Sequence, residues 1–104
     1  MNRYYIEITG PAEKDLYEIG YYISKELLEP GIAIKVIEKI SDGILKLEEM
    51  PMRNALVADE RLSNQGIRKI IVENYFVFYV LYEEHKRVTI VRILHSRRDW
   101  ENLL

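Results

Sequence analysis

The sequence predicts an α+β fold of order β-α-α-β-β-β, a helical hairpin packed on a curved, mostly antiparallel sheet. Three observations lead there. Two apolar stripes of helical period lie almost back to back between residues 12 and 47. Three runs of strand composition, separated by short polar turns, fill residues 67–95. At 104 residues and 48% apolar content, the chain is long and apolar enough to form one domain, residues 1–104, with its own core.

Arg3–Thr9 alternates, with Tyr4, Ile6 and Ile8 on one face, and reads as the first strand. Gly10-Pro11-Ala12-Glu13 starts a helix. Pro11 suits the first helical position, and Glu13 suits a first turn where the helix dipole favours acid. Ala12, Leu16, Ile19, Ile23 and Leu27 step by three or four and form one apolar stripe. Glu29-Pro30-Gly31 breaks that helix. Ala33, Val36, Ile37, Ile40, Ile44 and Leu47 form a second stripe, which Pro51 limits. So short a connection implies an antiparallel hairpin. Gly20 and Gly43 lie inside the two helices and fit a close helix-to-helix approach.

Met52–Gly66 has no sustained period and reads as a long loop, with a helical turn around Asp59–Leu62. Ile67–Glu73, Tyr75–Tyr82 and Arg87–His95 read as strands, joined near Asn74 and at Glu83-Glu84-His85-Lys86. Tyr75–Tyr82 is almost wholly apolar or aromatic and belongs in the middle of the sheet. Asp99–Leu104 fits a final helical turn.

Composition excludes several functions. The chain has no cysteine, so disulfides, zinc-thiolate sites and cysteine nucleophiles are out. Its first residues lack the apolar core of a signal peptide, and no stretch approaches the ~20 apolar residues of a membrane span. A cytoplasmic protein without membrane contact is expected. His85 and His95 stand too far apart to suggest a metal site, and there is no glycine-rich phosphate loop. Neither metal nor cofactor is expected. Net charge is -2 and the pI is about 5.7, unlike a general nucleic-acid binder. The charge is uneven, however. Residues 1–52 carry 6 Lys/Arg against 10 Asp/Glu, and residues 53–104 carry 9 against 7.

The basic excess gathers around the last strand. Strict alternation there puts Val88, Ile90, Arg92 and Leu94 on one face and Thr89, Val91, Ile93 and His95 on the other. Arg92 then interrupts an apolar face and needs a carboxylate partner or a cleft. Arg68 shares a face with Ile70 and Val72 near the start of its strand. Strand directions set Arg68 and His95 at opposite ends of the sheet. Arg97 and Arg98, followed by Asp99 and Glu101, fit a solvated, internally paired helix start. Arginine can clamp phosphate and histidine can carry a proton, so these four arginines and His95 are the candidate site.

Several pieces together resemble one family: AEKDLYEIGYYI (Ala12–Ile23), LEEMP (Leu47–Pro51), GIRK (Gly66–Lys69), YFVFY (Tyr75–Tyr79) and RILHSRRDW (Arg92–Trp100). In this order and spacing the chain resembles the RelE/ParE superfamily, toxins of bacterial type II toxin–antitoxin pairs. The ending is similar to the ParE branch, whose members inhibit DNA gyrase. The resemblance implies a cognate antitoxin partner and a target-binding surface at Arg68, Arg92, Arg97 and Arg98. The alternative is the RelE/YoeB branch, whose members cleave mRNA on the ribosome. There Arg68 and His95 would be catalytic. Those toxins carry a C-terminal tyrosine, and no tyrosine follows Tyr82. That departure and the acidic pI favour the ParE branch and action by binding.

Overall fold

The computed structural model of the chain describes residues 3–104. Its elements run β1 (Tyr5–Ile8), α1 (Gly10–Tyr21), α2 (Pro30–Leu45), α3 (Glu60–Ser63), β2 (Ile67–Val72), β3 (Tyr75–Tyr82), β4 (Arg87–His95) and α4 (Trp100–Leu103). The strands form one sheet of order β1-β4-β3-β2. β1 lies parallel to β4, and the other two pairings are antiparallel. This is the expected α+β order, with short helices added in the connections.

Local chemistry explains the helix ends. Thr9 Oγ1 accepts from the Ala12 N–H at 3.2 Å and caps α1, with Glu13 in the first turn. After Tyr21 the helix widens into one π-helical turn, in which the Leu27 N–H donates to Tyr22 O at 3.1 Å. Leu28 then takes a left-handed conformation, φ 55°, and the chain reverses. The break thus falls before Glu29-Pro30-Gly31, and Pro30 opens α2 rather than ending α1. A fixed φ and a missing N–H suit the first turn of a helix, where no donor is needed.

The hairpin covers one face of the sheet. Ala12, Ile40, Ile44 and Leu47 pack there on Val77, Tyr79, Val88, Ile90 and Ile93. The opposite face carries a smaller core of Val57, Leu62, Ile67, Phe78 and Leu94, with Trp100 and Leu104 against it. The long segment before β2 is therefore tied down. Asp59 Oδ1 caps α3 by accepting from the Leu62 N–H at 3.0 Å, and Leu62 is fully buried. β3 lies between β4 and β2, and Val77, Phe78 and Tyr79 are each 0% exposed. Each such burial contributes about 1.5–3 kcal/mol.

Two sequence expectations change. Gly20 does lie against Ile37 of α2, but Gly43 faces the sheet instead of α1. A Cβ there would stand 2.8 Å from Val72 Cγ2, so the glycine lets α2 settle onto β2. The second change concerns β4. Phe78 pairs with Arg92 and Tyr79 with Ile90, leaving Val91 as an extra residue. This bulge reverses the alternation beyond it. Val88, Ile90 and Ile93 share the helix face, and Val91 and Leu94 share the other. Strict alternation fails because one residue of β4 has no counterpart on β3.

Candidate functional site

Arg92 has the carboxylate its position demands. Its Nε donates to Asp15 Oδ2 at 2.7 Å and its Nη2 to Asp15 Oδ1 at 2.9 Å. The Ile93 N–H also donates to Asp15 Oδ2, at 2.9 Å. Asp15 lies on the buried side of α1 and is 7% exposed. The fourth contact is from Arg92 Nη1 to Leu103 O at 3.2 Å. One guanidinium thus joins α1, β4 and α4. The Asp15 hydrogen bonds raise the Arg92 pKa, so it stays charged.

Arg68 meets no carboxylate among the described residues. Its Nη1 donates to Asn54 O and, at 3.4 Å, to Met52 O. Beside it stands Tyr79, its register partner on β3. The Tyr79 hydroxyl donates to Pro51 O at 2.6 Å and accepts from Asn54 Nδ2 at 3.1 Å. Burial pushes the Tyr79 phenol up, against smaller opposing effects of Asn54 and Arg68. Together Arg68 and Tyr79 pin the turn Pro51–Arg53, which follows a left-handed Met50, φ 52°.

His95 lies at the far end. Its ring meets Tyr75 edge-on, centroids 5.3 Å apart, and its Nδ1 accepts from the Arg97 N–H at 3.1 Å. Arg68 pairs with Tyr79, whereas His95 pairs with Tyr75 four residues away on β3. Two strand spacings and four residues put the two Cα atoms about 16 Å apart. The candidate catalytic pair does not converge on one phosphate.

Arg97 and Arg98 are exposed, and neither forms an ion pair among the described residues. The expected internal pairing with Asp99 is replaced by a contact between the Asp99 and Asn102 side chains. Asp99 Oδ2 accepts from Asn102 Nδ2 at 2.6 Å, and Asp99 O accepts from two N–H groups of α4. Their charges face solvent beside the end of β4.

Sequence reasoning passed over Asp15, although a signal existed. It falls three residues after Ala12 and four before Ile19, inside the apolar stripe. A carboxylate there and an arginine in an apolar strand each need a partner. It also missed a groove of about 720 Å³ between α2 and β2, whose walls include Lys39, Lys46, Asp42 and Glu49. That groove depends on tertiary placement and leaves no local motif. Among the described residues, no three His, Asp or Glu side chains gather as a metal site.

Comparison with known proteins agrees with this architecture. The family model described as the ParE toxin of the type II toxin–antitoxin system, parDE, matches residues 6–100. The chain belongs to the ParE toxin family. Among curated proteins none matches the sequence. Solved structures share its fold. The chromosomal ParDE system of Pseudomonas aeruginosa matches at TM-score 0.75 and 20% identity, over 93% of this chain and 100% of that one. The RelBE2 toxin–antitoxin complex of Mycobacterium tuberculosis matches at TM-score 0.62 and 22% identity, over 89% and 98%. An arginine-to-alanine mutant of Escherichia coli RelE in the free state matches at 0.67 and 15%, over 97% and 92%. No helix among the described residues of this ParE-family toxin is long and apolar enough to cross a membrane.

Proposed function

We propose that this ParE-family toxin arrests growth in the cytoplasm by binding DNA gyrase, and that a cognate antitoxin neutralises it. One observation carries the choice of binding over catalysis. Arg68 and His95 lie about 16 Å apart and each is engaged locally, so no acid–base pair surrounds a scissile phosphate. Arg97 and Arg98 remain as exposed cations on the tail side, suited to an acidic patch or DNA held by the enzyme. The antitoxin reading is supported by the solved ParDE and RelBE2 structures, which are toxin–antitoxin systems.

Purified toxin is expected to block supercoiling by gyrase or to trap cleaved DNA, and His95→Ala to retain that effect. Arg97→Glu with Arg98→Glu should lower potency about tenfold or more. Unchanged gyrase activity at excess toxin would overturn the reading. Codon-specific cuts in ribosome-bound mRNA that vanish in His95→Ala would replace it with the endoribonuclease.

A further inference from the structure

α1 turns one ridge to solvent. Glu13, Tyr17, Tyr21 and Lys25 follow one another at steps of four, and each is exposed. Lys25 falls in the π-helical turn Tyr22–Glu26, yet it lines the same groove as the other three. Tyr17 and Tyr21 stack on each other, ring centres 6.2 Å apart, and are 70% and 51% exposed. Beside this ridge runs a lower row of the same step, Leu16, Gly20 and Ser24. Ile37 of α2 closes the far side, and a Cβ on Gly20 would stand 3.6 Å from Ile37 Cγ1. Ridge, row and Ile37 bound a mostly apolar groove of about 550 Å³.

The ends of the ridge carry opposite charges. Neither Glu13 nor Lys25 forms an ion pair among the described residues. Lys14 and Glu18, on the next row, already face each other at 3.9 Å. Glu13 and Lys25 each lie six residues from Ile19, and the two tyrosines each lie two. The ridge is therefore its own complement when reversed. Acid meets base at both ends, and ring meets ring between them.

We propose that the chain pairs with a second copy of itself through this ridge, α1 against α1 in opposite directions. Rows of step four interdigitate when two helices cross at about 50°. Each ridge then enters the groove of the other copy. Tyr17 lies beside Tyr21 of the second copy, over the low floor at Gly20. Where the helices diverge, the long side chains of Glu13 and Lys25 reach across and close an ion pair at each end. The relation is a two-fold axis midway between Tyr17 and Tyr21, with the same patch on both sides.

The charge pattern selects this occupant. A phosphate backbone asks for walls of one sign, and this groove ends in one acid and one base. A segment of another protein requires no symmetry about Ile19. A second copy of α1 does, and it brings the opposite charge to each end.

Light scattering of the purified full chain is expected to show the mass rising from one chain to two below about 1 mM, a weak dimer as befits a small contact. Tyr17→Ala should raise the dissociation constant about tenfold or more, with an unchanged circular dichroism spectrum. Glu13→Lys and Lys25→Glu each set like charges together at both ends and should weaken pairing to a similar degree. Mixed in equal amounts, these two variants should pair with each other as tightly as the unaltered chain, because every end contact again joins opposite charges. Glu13 and Lys25 are twelve residues apart, about 18 Å along a helix, so this rescue reports a contact between copies. A monomer at every concentration, a dimer indifferent to Tyr17→Ala, or failure of the mixture to pair would overturn the proposal. So would a monomer whose antitoxin binding is lost in Tyr17→Ala, which would give the groove to that partner.

Discussion

Arg92 and Arg68 both reach out from sheet strands, yet their partners differ in kind. Arg92 is neutralised by a buried carboxylate that also takes a backbone N–H from β4. Arg68 is held by carbonyl oxygens of a turn, which orient the side chain without cancelling its charge. The first arrangement is a three-way joint of the fold. The second fixes a turn and leaves a net positive charge at a partly exposed place. A surface-facing guanidinium therefore says little until its acceptor is known.

The largest effect should come from the Arg92 side. Asp15→Ala leaves the guanidinium and the Ile93 N–H without their acceptor. Breaking a buried pair from one side costs about 3–5 kcal/mol, and the low end applies because the Arg92 side chain is 25% exposed. Urea unfolding should show the midpoint falling accordingly. An effect below about 1 kcal/mol would mean that α1 and β4 are held by their apolar contacts alone. Gly43→Ala comes next. The added methyl meets the stiff side chain of Val72, and a loss of about 1–2 kcal/mol is expected despite better helix propensity.

The Arg68 side should respond less. Tyr79→Phe removes the hydroxyl that donates to Pro51 O and accepts from Asn54, for about 1–2 kcal/mol. It carries a pH signature as well. Burial raises the phenol pKa of both Tyr75 and Tyr79 above the ordinary 10.0. Such groups contribute stability that is complete below about pH 10 and is lost as pH rises through the raised values. Urea midpoints from about pH 8 upward should fall above pH 10, and fall less steeply in Tyr79→Phe. An identical slope in both proteins would assign the alkaline loss elsewhere.

Much of the fold was legible because periodicity and turn residues act locally. The stripe from Ala12 to Ile23, the apolar run Tyr75–Tyr82 and the turns at Asn74 and Glu83–Lys86 all mark their elements. Pairing between distant residues was less visible. Arg92 announced its need for a carboxylate, but only packing of α1 on β4 selected Asp15. The bulge at Val91 carries no glycine or proline to betray it. Val57 and Leu62, which complete the second core, hid in a segment without period, since irregular backbone can bury single side chains without a repeating pattern. As for the candidate site, the separation of Arg68 from His95 followed from strand direction alone, while the carbonyl anchoring of Arg68 did not.

The extra residue in β4 bears on how relatives of this chain are compared. The strand's first four residues are locked to β1 as well as β3, whereas its last four are paired with β3 alone. Between them the strand changes phase, much as an insertion shifts a reading frame. A relative lacking that one residue would present its counterparts of Arg92 and His95 on exchanged sides. Beyond Ile90, matching positions by counting along the strand can thus equate a structural joint in one toxin with a surface group in another.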